Sequence, residues 1–469
     1  MTTLPTNWTA APIRELMQPL QDGKLVHQGW SPQCESGPAL TASDWGALKT
    51  TAIQDGSYQP EHNKRLPEAL DAKERLEVKV GDLLMTCAGP RVRCGVACLV
   101  RETPPKRFIS GKMYRFRANE ALIDSRLLEA FLRTPSTKAQ IDAMKTGISE
   151  SGMNITHEKF SQLIVPIAPL SEQKRIADKL DTVLTRVDAV NTRLARVAPL
   201  LKRFRQSVLA AATSGRLTED WRGDLEPDWA THKLGDLLEG KPRNGYSPKA
   251  VDYETPVRSL TLSATTSGTF KGEHAKYIDE EIPDDSHLWL EPDDILIQRA
   301  NSLEYVGVSA IFNGPKKSFI YPDLMMKARA NTRTTSRFLH LLLCAEGTRK
   351  YFRENATGTA GNMPKINQQT VINAPCRLPT LAEQTEIVRR VETLFAFADR
   401  LEARLAQAQT AATRLTPALL AKAFRGELVP QDPNDEPAAE LLRRLQAERA
   451  TAPKASAGRG RKAAVRSEG

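Results

Sequence analysis

The sequence predicts an α+β fold with two globular units in tandem, each followed by a long α-helix. Three observations predict this arrangement. A helical segment of roughly 45 residues occurs twice at one offset, since Glu172-Gln173 recurs as Glu383-Gln384 and 383 minus 172 is 211. Apolar residues in both copies lie alternately three and four positions apart. The sequence before each helix instead mixes short strand-like and helix-like patterns.

The repeat continues more weakly into the sequence before each helix. Trp8 and Leu16 match Trp229 and Leu237 at an offset of 221. Three further pairs match at an offset of 211 or 212, namely Asp82 with Asp294, Gly95 with Gly307, and Gly147 with Gly358. Because the globular units differ more than the helices do, we expect a constant scaffold that carries two different surfaces.

The apolar positions of the two helices define the seam of a coiled coil, because a 3.5-residue period keeps one stripe facing a partner helix. Bulky side chains in the first helix match alanines in the second, which favours pairing within the chain over a self-paired homodimer. The seam alone leaves parallel and antiparallel pairing open. The seam residues are Ile176, Leu180, Val183, Val187, Val190, Leu194, Val197, Leu201, Phe204 and Val208, then Ile387, Val391, Leu394, Ala398, Leu401, Leu405, Ala408, Ala412, Leu415 and Leu419.

Start and stop signals refine both helices. Thr380 with Glu383 forms a capping box pattern, and Ser171 is expected to cap the first helix. An interior proline removes one helical hydrogen bond, so Pro199 predicts a kink. Pro417 predicts the first turn of a separate short helix.

The globular units are predicted to contain strands and helices at matching places. Strands are expected at 82–88, 95–100, 294–298 and 306–312, and helices at 124–133 and 337–352. Basic residues with nearby aromatic side chains occur in loops expected at 101–117 and 240–246, a pattern suited to phosphate contact and base reading. A solvated charged edge is the alternative. The candidate DNA-binding residues are Arg91, Arg93, Lys106, Arg107, Lys112, Arg115, Arg117, Lys241, Arg243, Tyr246, Arg299, Lys316 and Lys317.

Composition sets further bounds. At 469 residues the chain is long enough for two or three domains that each bury a core. The formal net charge of +10 favours polyanion partners. Neither a signal peptide nor an apolar run long enough for a membrane span is visible, so we expect a cytoplasmic protein. Of six cysteines only Cys94 and Cys98 are closely spaced, and no second pair completes a zinc site.

The sequence carries no convincing catalytic signature: it has no Walker A loop, HExxH motif or GxSxG motif. Asp228 followed by Glu239 and Lys241 fits the loose pattern of metal-dependent nucleases, in which paired carboxylates hold magnesium. So short a pattern arises easily by chance. We therefore expect a chain that catalyses nothing and binds no metal, with a nuclease that uses these three residues as one alternative.

The chain resembles the specificity subunit of type I restriction-modification enzymes over nearly its whole length. The resemblance includes both globular units and the order in which the helices follow them. It depends most on four motifs: Pro-Leu-Ser-Glu-Gln-Lys-Arg-Ile at 169–176, Pro-Thr-Leu-Ala-Glu-Gln-Thr-Glu-Ile at 379–387, Ala-Phe-Arg-Gly-Glu-Leu-Val-Pro at 423–430, and Asp-Pro-Asn-Asp-Glu-Pro-Ala at 432–438.

The resemblance implies two target-recognition domains that each read one half of an interrupted, asymmetric site on double-stranded DNA. It further implies that the long helices pair antiparallel, hold the domains apart and dock two methyltransferase subunits. In the family these subunits methylate adenine with S-adenosylmethionine, and restriction subunits cleave DNA with ATP and magnesium. A coiled-coil adaptor that bridges two identical partners without reading DNA is the alternative.

These interpretations give a set of expected boundaries. The last segment is rich in Lys, Arg, Ala and Gly, which predicts disorder. The expected segments are a first target-recognition domain at 1–169, a first spacer and partner helix at 170–217, a linker at 218–230, a second target-recognition domain at 231–378, a second spacer and partner helix at 379–429, a linker with a short helix at 430–450, and a basic tail at 451–469.

Overall fold

The computed structural model describes residues 4–223, 228–358 and 363–451. The chain divides into two compact units, one formed by Met1–Thr192 with Gln409–Gly469 and the other by Arg193–Ala408. Each long helix is shared, so each unit contains part of both. Its helices are α1 (Ser125–Leu132), α2 (Pro135–Met144), α3 (His157–Ser161), α4 (Leu170–Ser214), α5 (Glu219–Arg222), α6 (Ser336–Cys344), α7 (Glu346–Glu354), α8 (Gln368–Ile372), α9 (Leu381–Ala423) and α10 (Ala438–Thr451).

The first unit combines a four-stranded sheet, a three-stranded sheet and small strand pairs. Its strands are β1 (Thr9–Pro12), β2 (Val26–Gln28), β3 (Gly46–Leu48), β4 (Ile53–Gln54), β5 (Ser57–Tyr58), β6 (Asn63–Arg65), β7 (Leu83–Thr86), β8 (Ala88–Gly89), β9 (Ala97–Leu99), β10 (Arg107–Phe108), β11 (Met113–Phe116), β12 (Met153–Asn154) and β13 (Ile164–Ile167). The larger sheet has the order β2-β11-β7-β9, and β1 pairs antiparallel with β13.

The second unit contains two four-stranded sheets. Its strands are β14 (Ala230–Lys233), β15 (Arg243–Asn244), β16 (Ala250–Val251), β17 (Arg258–Leu260), β18 (Ala275–Ile278), β19 (Ile295–Gln298), β20 (Ser309–Ile311), β21 (Phe319–Ile320), β22 (Met325–Ala328) and β23 (Pro375–Leu378). The sheets have the orders β15-β22-β19-β20 and β16-β18-β17-β21, and β14 pairs antiparallel with β23.

The predicted repeat is present in the strand order. The sheet β2-β11-β7-β9 corresponds to β15-β22-β19-β20, and the pair β1-β13 corresponds to β14-β23. All four predicted strands and both predicted helical regions are confirmed, although the helical region at 337–352 is interrupted at Ala345 and forms α6 and α7. In each unit a short strand pair leads directly into a long helix, so the helix begins at a fixed place on the sheet structure.

Each unit has its own apolar core. In the first, Phe116 and Phe160 pack edge to face with ring centroids 5.3 Å apart, and both are fully buried. In the second, Phe338 of α6 and Phe352 of α7 are fully buried in one cluster with Ile295 of β19. Burial of this kind is the main favourable contribution to folding.

The long helices form largely as expected, but the prediction at Pro417 is wrong. α9 is continuous from Leu381 to Ala423, so Pro417 does not begin a separate helix. α4 is continuous through Pro199, and the kink expected there stays a prediction. The helical hydrogen bond that Pro417 removes is offset by burial of apolar residues beyond it, since Leu420 and Ala423 lie in a core cluster of the first unit. Ser171 lies inside the first turn of α4 rather than at its cap.

The two long helices pack together within each unit. In the first unit, Ile176 and Leu180 of α4 share a buried cluster with Leu420 and Ala423 of α9. In the second, the later part of α4 packs on the earlier part of α9, because one cluster contains Val208 and Ala212 together with Ile387 and Val391.

Burial follows the predicted seam at most positions and departs from it at three. Val190 and Leu415 are 43% and 45% exposed and Ala408 is exposed, whereas Val187 and Leu405 are buried. The partly buried seam positions are Val183, Leu194, Val197, Phe204, Leu394, Leu401 and Leu419. A straight helix drifts by about 20° per heptad from a 3.5-residue repeat, so one stripe cannot stay buried over its whole length.

The C-terminal helix belongs to the first unit. Ala438 and Leu441 of α10 are buried in its core, and the Ala438 N–H donates to the Asn7 carbonyl at 3.0 Å. Thr451, the first residue of the predicted basic tail, is the last residue of α10, and residues 452–469 of that tail lie outside the described part of the chain. Within the described residues, none of the helices has the length and apolarity needed to cross a membrane.

Candidate nucleic-acid interface and helix junctions

The repeated glutamine fixes the first globular region on α4. Gln173 is fully buried, and its side-chain Oε1 accepts a hydrogen bond from the Asp124 N–H at 2.9 Å. Its Nε2 donates to the carbonyls of Leu122 and Ala168 at 2.9 and 2.8 Å. Asp124 is the N-cap of α1, so a single amide joins the start of one helix to the first turn of another.

Gln384 makes the equivalent junction in the second unit. Its Oε1 accepts from the Thr334 hydroxyl at 2.9 Å and from the Thr335 N–H at 3.3 Å, and Thr335 is the N-cap of α6. Its Nε2 donates to the carbonyls of Arg333 and Pro379 at 3.0 and 3.1 Å. The repeated sequence therefore encodes a repeated joint between sheet domain and long helix.

The preceding glutamate anchors the tryptophan of each repeat. Trp8 donates its indole N–H to Glu172 at 3.1 Å, and Trp229 donates to Glu383 at 3.0 Å. Glu383 also pairs with Arg222, whereas Glu172 has one buried oxygen without a partner. Burial raises the pKa of the Glu172 carboxyl, and the indole hydrogen bond opposes that rise. Thus the Glu-Gln motif is explained by structure rather than by catalysis.

A buried aspartate organises the sheet of the first unit and changes the interpretation of its basic residues. Asp82 is fully buried and accepts from Arg117 at 2.6 Å and from Arg115 at 3.3 Å. Arg115 and Arg117 were expected in a flexible basic loop, but Arg115 lies in β11 and Arg117 follows it directly. The loop prediction is wrong here because aromatic and cationic side chains alternate from Tyr114 to Arg117, which is the period of a strand.

The second unit repeats this arrangement. Asp294 accepts from Arg329 at 2.7 Å and lies 3.6 Å from the ammonium of Lys327. Burial lowers the pKa of Lys327, and the nearby Asp294 carboxylate opposes that decrease. In both units an aspartate at the start of one central strand holds two cations at the neighbouring strand. The aspartate and both cations of the second unit each lie 212 positions after their counterparts in the first.

Other basic residues of the first unit have mainly structural contacts. Arg107 is buried and donates to the carbonyls of Ala39 and Asp44, so it is also not a loop residue open to a ligand. Arg93 donates to the carbonyl oxygens of residues 50 and 53, and Arg91 pairs with Asp142 and Glu150. Lys112 is exposed, and Lys106 is half-buried with its ammonium 2.9 Å from the Ser43 carbonyl.

The candidate residues of the second unit are more accessible. Lys241 and Arg243 are exposed and make no ion pair with any described residue. Arg299 is half-buried, and its only described side-chain contact is a long 3.4 Å hydrogen bond to the Asp323 carbonyl. Tyr246 is exposed and donates to Glu280 at 3.2 Å.

Lys316 and Lys317 lie on a separate exposed turn of the second unit. Lys317 has a positive φ of 53° and pairs with Asp284 at 2.6 Å. Both lysines precede β21, and neither lines the two pockets that contain Lys241. Of the six candidates in the second unit, Lys241, Arg243 and Arg299 line these pockets, whereas Tyr246 and the two lysines do not.

Two polar pockets of the second unit share Lys241. One, of about 240 Å³, is lined by Glu239, Lys241, Arg243, His287, Asp294, Lys327, Ala328 and Arg329. The other, of about 330 Å³, is lined by Lys241, Asn244, Arg299, Asn367, Gln368, Gln369 and Ile372. The second pocket is called the amide pocket below. Its four amide side chains were not predicted, although the run Asn367-Gln368-Gln369 was a visible signal.

The nuclease alternative gains no support from this geometry. Glu239 and Lys241 line one pocket with Asp294, but Asp228 does not. No group of three or more His, Cys, Asp or Glu residues in the described part of the chain could hold a metal ion. The Asp294 carboxylate is already held by Arg329 and Lys327.

Known proteins share both the sequence pattern and the fold. The family model for the type I restriction modification DNA specificity domain matches residues 78–198 and 226–409. The EcoKI specificity subunit of Escherichia coli strain K12 is 32% identical over 460 residues, which cover 95% of this chain and 96% of that protein. The StySPI specificity subunit of Salmonella potsdam is 29% identical over the same length.

Solved structures agree at the level of the fold. A chain from a study of complex assembly and conformational transition in a type I R-M system has a TM-score of 0.67, 19% identity and 91% coverage of this chain. The crystal structure of the HsdS subunit from Thermoanaerobacter tengcongensis has a TM-score of 0.54, 18% identity and the same coverage. These matches cover 99% and 98% of the respective solved chains.

Proposed function

Because the chain belongs to the specificity subunits of type I restriction-modification systems, we propose that it is the non-catalytic subunit that selects the DNA site of such a complex. Each globular unit would read one half of a two-part, asymmetric site on duplex DNA. The observation that carries this proposal is a constant scaffold with unlike surfaces. Gln173 and Gln384 form the same joint, whereas Asn367, Gln368 and Gln369 of the amide pocket stand where the first unit has a threonine, a histidine and a glutamate.

The two units carry different side chains at one pair of equivalent positions. Strand pairing places Gln28 opposite Tyr114 in β11 and Asn244 opposite Met326 in β22, so these two amides are equivalent. Gln28 donates internally to the Gly111 carbonyl at 2.9 Å, but the Asn244 side chain has no described partner. Two half-sites of different sequence require different unpaired hydrogen-bonding groups at equivalent positions of the two units.

We further infer that the two long helices pair as an antiparallel coiled coil. Support comes from each unit separately: early α4 packs on late α9 in the first, and late α4 packs on early α9 in the second. Arg205 of α4 also pairs with Asp399 and Glu402 of α9 at 2.6 and 3.2 Å. Antiparallel helices produce this order of contacts, and parallel helices do not.

Exposed apolar side chains on both long helices support a role in binding partner subunits. Val190 and Leu200 of α4 and Phe397 and Leu415 of α9 are large apolar side chains that remain 43–52% exposed. Val190 and Leu415 lie in the first unit and Leu200 and Phe397 in the second, so each unit carries two of them. We propose that two methyltransferase subunits dock there and bring S-adenosylmethionine, and that restriction subunits bring the site for ATP and magnesium.

Salt-dependent binding to an interrupted duplex tests this function. The full chain, assembled with its methyltransferase subunits, is expected to bind a duplex that carries both half-sites. Affinity should fall by about 10³-fold or more between 50 and 200 mM salt if six or more phosphates are contacted. A duplex with one half-site scrambled is the control and should bind at the nonspecific level.

The opposite result would favour the coiled-coil adaptor. An adaptor would join its partner subunits equally well with any duplex, with none, and at either salt concentration. Fluorescence anisotropy of a labelled duplex, together with the mass of the assembled complex, distinguishes these two outcomes.

A further inference from the structure

We propose that the second unit recognises an adenine-bearing base pair in its half of the DNA site through the amide pocket. This inference rests on the proposed function and extends it from duplex DNA in general to one base of the half-site. The pocket combines four amide side chains with two cations in about 330 Å³. Asparagine and glutamine can form paired hydrogen bonds with the N6 amino group and N7 of adenine in the major groove.

The amides are held on ordered elements. Asn244 lies in β15 and pairs with Met326 of β22. Asn367 is the N-cap of α8, and its Oδ1 accepts from the Thr370 N–H at 2.8 Å. Ile366, next to it, is buried and donates its N–H to the Arg299 carbonyl at 2.9 Å. Side chains on fixed backbone lose less freedom when they bind a base edge.

The reading groups are available to a ligand. Within the described residues, the side chains of Asn244, Gln368 and Gln369 make no hydrogen bond. The Oδ1 of Asn367 is engaged in its cap, but its amide NH₂ group has no described acceptor. An amide offers a donor and an acceptor side by side, which is the pattern that the adenine edge presents in reverse.

The surrounding charge fits a DNA backbone. Residues 223–379 contain 19 Lys and Arg against 20 Asp and Glu, so this region has no overall basic excess. Lys241 and Arg299 nevertheless line the amide pocket, and Arg243 lines the pocket beside it. None of the three has a described ion-pair partner, in contrast to Arg329 and Lys317. Cations at the border of an amide cluster place phosphates while the amides read bases.

The first unit keeps one amide at a corresponding position, Gln28 in place of Asn244, and that amide already donates to the Gly111 carbonyl. Cys87 stands where the second unit has Arg299, at an offset of 212, and it is fully buried. Thr156, His157 and Glu158 stand where it has Asn367, Gln368 and Gln369, at an offset of 211. The inference therefore concerns one half-site only, which makes its test internally controlled.

Three variants test the inference in the assembled methyltransferase complex. Gln369→Ala and Asn244→Ala remove exposed amides from the pocket, and Asn313→Ala removes an exposed amide of the same unit that lines neither pocket, as the matched control. The probes are duplexes built on the motif that the wild-type complex methylates, with each base pair of both half-sites replaced in turn. Binding of every duplex is measured for every variant.

We expect the pocket variants to lose about tenfold or more of the discrimination at one A·T pair, since a bidentate pair gives roughly 1–3 kcal/mol of discrimination. Discrimination throughout the other half-site should be unchanged, as should all values for Asn313→Ala. Unchanged discrimination at every position, a loss confined to G·C pairs, or an equal loss in both half-sites would overturn the inference while leaving the proposed function intact. Failure of the wild-type complex to select a two-part site would instead contradict the proposed function itself.

Discussion

Gln384→Ala is expected to lower the unfolding free energy of the second unit by about 3 kcal/mol or more. The wild-type amide makes four hydrogen bonds in a fully buried place. Truncation leaves the buried Thr334 hydroxyl and the buried Pro379 carbonyl without these partners, and each such group costs about 1–3 kcal/mol. Gln173→Ala should affect the first unit similarly, because its amide makes three equivalent bonds.

Hydrogen exchange measured peptide by peptide tests this expectation. Gln384→Ala should increase exchange in α6 and β23 and leave α1 and β13 unaffected, and Gln173→Ala should do the reverse. Gln407→Ala, which changes an exposed residue of α9, should alter stability by less than about 0.5 kcal/mol. Equal, small effects of all three variants would mean that the buried amide is not the joint between sheet domain and helix.

Asp294→Asn is expected to destabilise the second unit by about 3 kcal/mol, because it removes the charge that Arg329 and Lys327 share inside the protein. Breaking one partner of a buried ion pair typically costs 3–5 kcal/mol. The lower end applies here, since Arg329 is 39% exposed and water screens part of the interaction. Asp82→Asn should act in the same way on Arg115 and Arg117 in the first unit.

Asp284→Asn is the matched control for this effect. Asp284 pairs with Lys317, but its side chain is 90% exposed, so its loss should leave the unfolding free energy nearly unchanged. Denaturant titration followed by circular dichroism measures both variants. A change in midpoint for Asp294→Asn no larger than that for Asp284→Asn would show that the buried carboxylate does not organise the sheet.

The repeat and the helix period predicted the architecture well, because both are local patterns that packing preserves. Burial at Ile176 and Ile387 follows directly from the seam. Exposure at Val190 and Leu415 could not be predicted from the same pattern, since it depends on how far each helix drifts from the partner. The prediction at Pro417 was wrong because the lost helical hydrogen bond can be inferred from the sequence, whereas the burial of Leu420 and Ala423 beyond it cannot.

The candidate site was less predictable than the fold. Charge alone could not separate the buried Arg115, which has an internal carboxylate partner, from Arg243, which has none. The amide pocket joins residues near 244, 299 and 368, which only the strand order brings together. Charged and aromatic residues can be identified from the sequence. A surface that recognises bases, however, consists of the polar groups that the fold leaves without internal partners.

Sequencing of methylated adenines in the host genome, with and without this gene, tests the central claim most directly. The account predicts one methylated motif with two defined parts separated by a fixed unspecified gap, present with the gene and lost without it. Persistence of every methylated motif after deletion of the gene, or the loss of a single uninterrupted motif, would contradict the claim that two unlike units of this chain select the two halves of one site.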